Sequence, residues 1–376
     1  MNFLIKTIIS SLLIYSYSFA SSDCFETFES NEKDILCFDK DITSLENFKK
    51  LTKANDILLQ NNDLSSIEGL NNLEEVNNLN LSNNLIQNTE SLNNLWKVNG
   101  FLNLSNNSLK NINNLNNLVV INKDLKLSNN QIESISGFQN LKFAMGSIDF
   151  SNNKIESISG FKEIKYIGND LNFIKNNIYI IYNSFNNLEV IEGNILLQRN
   201  NLKELTSFNS LLYIGGNLNL NRNNIESINS LNNLLYIKGD LIISNNKIEK
   251  IDSFENLRLI EGSLYLNNNE LSDNFVFKKI IKIDGDIHLE NNEISKINMF
   301  NKYVNLNGNL YINGNNSLSD ISNLEKLLMK NGSKLILDQK DFENKIPAKS
   351  EICEKIKNKE IDIGLNKYSN LCEKGE

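Results

Sequence analysis

His288 is the only histidine of this 376-residue chain, so it is the only imidazole that could act as a general base near neutral pH. Asp286 and Glu290 stand two residues to either side, with Asp284 two further back. Such an alternation of acids around a histidine could hold a cation, but it contains no Ser or Cys to be activated as a nucleophile. A single histidine also excludes a multi-His metal centre, and neither a metal nor a cofactor is expected. The remaining reactive groups are four thiols, Cys24 and Cys37 near the start and Cys353 and Cys372 near the end, which allow three pairings. Asn-x-Ser triplets begin at Asn80, Asn103, Asn106, Asn315 and Asn331 and would matter only in a glycosylating host.

Composition narrows the choice further. Lys and Arg number 38 against 46 Asp and Glu, a net charge of −8 with a pI near 5.1. That lacks the basic footprint of a nucleic-acid binder, and no nucleic-acid partner is expected. Apolar residues make up 40 % of the chain, enough for a core. Met1 to Ala20 carries Lys6, an apolar run from Ile8 to Tyr15, and Ser18-Phe19-Ala20. A basic start, a short apolar middle and small residues before the cut predict a secretory signal over 1–20. No later stretch is long and apolar enough to span a membrane.

A period near 23 organises the rest. The pattern Leu-x-Leu-x-x-Asn-x-(Leu/Ile) starts at Ile57, Leu79, Leu102, Leu125, Ile148, Leu171, Ile195, Leu218, Leu241, Leu264, Ile287 and Leu310. A fixed period of this length means stacked repeats. Within each copy, residues 0 and +2 point inward because side chains alternate along a strand. Position +5 is Asn in all twelve: Asn62, Asn84, Asn107, Asn130, Asn153, Asn176, Asn200, Asn223, Asn246, Asn269, Asn292 and Asn315. Buried amides must be satisfied, so these predict a ladder bonding the backbones of the coils above and below.

The return leg steps by three, as in Ile248, Ile251, Phe254, Leu257 and Ile260. That spacing suits 3-10 turns and extended pieces rather than the 3.6 residues per turn of an α-helix. Gly two residues before most strands, as at Gly146 and Gly239, predicts a sharp bend there.

These motifs resemble those of leucine-rich repeat proteins. The narrow return leg is similar to internalin-type bacterial repeats, and the Ile-x-Gly-x-Leu-x-Leu lead-in to receptor L-domain repeats. The resemblance implies an α/β-class repeat solenoid, mostly β: a curved horseshoe of about twelve repeats plus caps, with a concave parallel sheet and a 3-10 or extended convex side. It also implies binding of a protein or a glycan by the concave face, without catalysis.

Twelve strands at ~4.8 Å separate the two ends far beyond disulfide reach, so the expected pairs are Cys24–Cys37 and Cys353–Cys372. The expected layout is a signal peptide over 1–20, an N-terminal cap over 21–56, the repeats over 57–337 and a C-terminal cap over 338–376, the last partly helical. Positions −1, +1, +3 and +4 are expected to face outward on the sheet. Column +1 ends in Ile242, Tyr265, His288 and Tyr311, with Leu196 earlier, and column +4 carries Lys175, Arg199 and Arg222 in consecutive repeats. Exposed aromatic and apolar stripes usually mean contact, so these residues are the expected binding surface. The protein is expected to be an exported monomer, working outside the cell, at its surface or in a periplasm; a surface spacer without a specific ligand is the alternative.

Overall fold

The computed structural model describes residues 34–273 and 275–374. The expected signal segment and Cys24 lie outside the described residues. Twenty-five short strand segments join one continuous parallel sheet. Its register runs coil to coil without a slip: Ile35 pairs with Ile57, Ile57 with Leu79, and so on through Ile287 with Leu310 to Leu310 with Leu335. One strand therefore precedes the first sequence repeat and one follows the last. The final step spans 25 residues, which is why its strand Leu335–Ile336 escapes a search at period 23.

Each middle coil gives the sheet two segments, for instance Tyr236–Ile237 and Leu241–Ile242. The lead-in is thus strand, not merely an approach to one. The return leg is turn and extended chain, with narrow sheets formed by Ser134–Ile135, Ser157–Ile158 and Ile180–Ile181, and by Glu204–Leu205 with Ser227–Ile228. Short 3-10 turns stand at Glu90–Leu92 and Ser322–Lys326. The α-helices Glu351–Lys357 and Tyr368–Leu371 lie in the C-terminal segment, where Ser350 Oγ accepts the Cys353 N–H as an N-cap. Cys353 and Cys372 are disulfide-bonded, with their Cα atoms 6.0 Å apart.

One core runs the length of the solenoid, and the inward residues of every coil are almost completely buried. Its middle contains a phenylalanine spine. The rings of Phe138, Phe161, Phe185 and Phe208 stack at 5.0, 5.1 and 5.2 Å. All four take positive φ, between 57° and 70°, a conformation costly for a bulky residue and held here by the packing around it.

The +5 asparagines are all buried, none more than 9 % exposed. Their bonds go to their own coil and the preceding one, rather than to both neighbours as expected. Asn176 Nδ2 donates to Phe150 O at 3.0 Å and Phe173 O at 3.1 Å, while its Oδ1 accepts the Ile155 N–H at 3.1 Å. The side chain thereby reproduces a backbone ladder where the chain turns out of the sheet.

Candidate ligand-binding face

A second ladder adds to the reading of position −1. Its acids and amides are partly exposed, and they also accept backbone N–H groups of the next coil. Asp124 Oδ1 accepts from Ser147 N at 2.9 Å, Asp170 from Asn194 N at 2.7 Å, Asn217 from Asp240 N at 2.6 Å, Asp240 from Ser263 N at 2.7 Å and Asp286 from Asn309 N at 2.7 Å. They sit at the break between the two strand segments of a coil and add to the main-chain bonds there, such as Gly239 N to Gly216 O at 2.9 Å. The lead-in glycines follow from the same contact. A Cβ on Gly146 would lie 2.4 Å from Asp124 Oδ1, and one on Gly239 2.1 Å from Asn217 Oδ1. Close approach of the preceding coil, rather than a bend, demands glycine there.

Column +1 takes no part in this ladder; its Asn and Asp members instead accept the N–H two residues on, as Asn172 Oδ1 does from Ile174 N at 3.0 Å. Strand register places Ile242 beside Tyr265, Tyr265 beside His288, His288 beside Tyr311, and Tyr311 beside Ile336. The rings of Tyr265 and His288 stack at 4.7 Å and 11°, and those of His288 and Tyr311 at 4.6 Å and 9°. His288 Nδ1 lies 2.9 Å from Glu290 Oε1, where a carboxylate accepts a hydrogen bond from Nδ1–H. Nε2 is 3.9 Å from Asp286 Oδ2, beyond hydrogen-bond range. The Tyr311 phenol is held above the usual tyrosine range, first by burial and then by the Asp286 and Glu290 carboxylates, against a bond to Asn309 that lowers it. This edge-on strip of hydroxyls and ring edges, rimmed by acids, suits recognition; it brings no nucleophile to the imidazole. Leu196 belongs to the same column, three coils before Tyr265 and separated from it by Asn219 and Ile242.

Lys175, Arg199 and Arg222 occupy a different kind of position from the one expected. Column +4 is the turn out of the strand, and every member takes positive φ. Eight of the twelve are Asn and one is Gly314, the residue types that tolerate this conformation. Three neighbouring Asn pairs in it bond, Asn83 Nδ2 to Asn61 Oδ1 at 2.8 Å, Asn268 Nδ2 to Asn245 Oδ1 at 3.2 Å and Asn291 Nδ2 to Asn268 Oδ1 at 2.8 Å. Lys175, Arg199 and Arg222, at 56°, 59° and 57°, are the exceptions, and all three side chains are exposed. Left-handed backbone costs an ordinary residue roughly 1–2 kcal/mol.

A further column went unforeseen. In seven consecutive coils the outward residue of the first segment is apolar or aromatic: Val120, Phe143, Tyr166, Val190, Tyr213, Tyr236 and Leu259. Phe143 and Tyr236 are the most open of them, 38 % and 39 % exposed. Their spacing of about 23 was visible, but only recognition of the lead-in as strand would have shown which way they point. A hollow of about 1120 Å³ beside Glu354, Ile361 and Tyr368 lies in the C-terminal segment and includes none of the expected site residues.

The model of the receptor L domain family matches residues 213–272. Among solved structures, the chain is similar to an internalin from Listeria monocytogenes at 19 % identity, over 72 % of this chain and 82 % of that one, with a TM-score of 0.39. It is likewise similar to a leucine-rich repeat protein of Leptospira interrogans at 19 % identity, over 92 % and 99 % of the two chains, with a TM-score of 0.42. No curated protein matches the sequence. The repeats, their unbroken parallel register and the match over residues 213–272 agree with one another. By these the chain folds as a leucine-rich repeat solenoid, mostly β, with repeats of about 23 residues, and residues 213–272 are similar to the receptor L domain family.

Proposed function

We propose that the protein is an exported, non-catalytic recognition module that binds a macromolecular ligand through its concave face. Folds of the leucine-rich repeat and receptor L-domain kind are typical of protein-binding modules. The observation that carries the reading is the stacked column Tyr265–His288–Tyr311, which no core or ladder contact requires. Tyrosine supplies large, rigid contact area at small entropic cost, and is enriched where binding energy concentrates. Between a protein and a glycan ligand, the column favours a protein. Sugars stack on open ring faces, whereas both faces of His288 are already covered by its neighbours.

The signal pattern over 1–20 and the disulfide between Cys353 and Cys372 support export to an oxidising compartment. Among the described residues, no helix is long and apolar enough to cross a membrane. The proposed layout keeps caps over 21–56 and 338–376 around repeats over 57–337, in a monomer outside the cell, at its surface or in a periplasm.

The test is capture of ligands from the protein's native surroundings by the full chain, followed by affinity measurement with the Tyr265→Ala/Tyr311→Ala variant. Weakening by about tenfold or more supports the reading. A captured ligand that binds the variant as it binds the parent refutes it.

A further inference from the structure

We propose that Lys175, Arg199 and Arg222 form a docking row for an acidic segment of a partner polypeptide. The row shares no residue with the aromatic column, and its test stands apart from that reading.

Conformation gives the first ground. At a turn where eight coils use Asn and one uses Gly, three consecutive coils place long cations in left-handed backbone. None of the three can offer its neighbour the amide hydrogen bond that Asn291 offers Asn268. Strain borne at adjacent positions by one charge type points to a use for that charge. Electrostatics gives the second. Among the described residues none of the three makes an ion pair, whereas other lysines of this face do, Lys126 with Asp124 at 3.2 Å and Lys282 with Asp284 at 2.8 Å. In a chain of net charge −8, three successive cations in one column form a local cluster of positive charge. Coils stack about 4.8 Å apart, so the side chains can engage one extended segment together.

The residue types say what that segment carries. The chain has three arginines, and two of them are Arg199 and Arg222. The planar guanidinium fork matches a carboxylate in two parallel hydrogen bonds, which an ammonium cannot do. Beside the row, Ile174 and Leu196 are half-buried and still present apolar surface. Carboxylates interleaved with apolar side chains satisfy both features, as an acidic peptide does; a polyuronate, uniformly hydrophilic, leaves the apolar surface unmatched.

The experiment compares the full chain with its Lys175→Asn/Arg199→Asn/Arg222→Asn variant. The probe is a fluorescent peptide in which Glu alternates with Leu and Ser, followed by anisotropy at low salt. A Lys110→Asn/Lys142→Asn/Lys165→Asn variant, changed at three exposed sites elsewhere, controls for net charge. The expected result is peptide binding that weakens with salt, is retained by the control and falls about tenfold or more in the docking-row variant. The melting temperature of that variant should equal or exceed the parent's, because Asn suits the turn. The proposal is overturned if the peptide fails to bind the parent, if the docking-row variant binds equally well, if its melting temperature drops, or if polygalacturonate binds the row and the peptide does not.

Discussion

The imidazole of His288 lies 4.7 Å from the ring of Tyr265 and within 11° of parallel to it, although a full coil of sequence separates the two. Only an unbroken register of strands brings them together, so their contact reports on the stacking of coils as well as on the face they form.

A double-mutant cycle between Tyr265→Ala and His288→Ala should give a coupling of about 0.5–1.5 kcal/mol in unfolding free energy, the range for stacked ring pairs. The cycle between Tyr265→Ala and Tyr311→Ala should give almost none, because His288 stands between them. Equal coupling in both cycles would contradict the stacked order.

Asn176→Ala should destabilise by about 1–3 kcal/mol. It strands the buried Ile155 N–H, at the cost of an unpaired donor, while the Phe150 and Phe173 carbonyls each keep one bond, from Asn153 Nδ2 and Asn200 Nδ2. Denaturant unfolding checks this, and a loss below about 1 kcal/mol would remove the amide ladder from the list of what holds the coils together.

Gly239→Ala should cost about 1–3 kcal/mol through overpacking. The new methyl group would meet Asn217 Oδ1 at 2.1 Å and the Gly216 carbonyl carbon at 2.7 Å. A bend alone would tolerate alanine, so an unchanged melting temperature would restore the simpler explanation.

Tyr311 should ionise later than an ordinary tyrosine. Its pKa is raised in the fold, so the stabilisation is complete below the ordinary value near 10 and is lost as pH climbs through the higher folded value. Titration by phenolate absorbance should show that Tyr311→Phe removes signal from the late end of the curve. Loss from the ordinary region would count against burial beside Asp286 and Glu290.

Much of this was legible in sequence. The phase of Leu264, Leu266 and Asn269 suffices to place Tyr265 outward, because a strand offers two faces and the core claims one. Position −1 was legible only in part: Asp124 and Asp240 do point out of the core, but short side chains at a break in the strands also fold back onto the next coil's N–H. Column +4 carried its signal in its asparagines, which read as an Asn-rich background in a chain with 73 of them until the backbone angles explain why eight of its twelve positions are Asn. Ile336 stayed hidden because an irregular turn lengthens the coil before it.

Every strand, amide bridge and −1 contact described above joins a coil to an adjacent one, and the register never skips. Length is therefore a modular quantity in this protein. Duplication or loss of one whole 23-residue unit in the gene would leave the surviving interfaces intact while moving the two candidate sites closer together or farther apart, so the distance between them can be reset in a single genetic event.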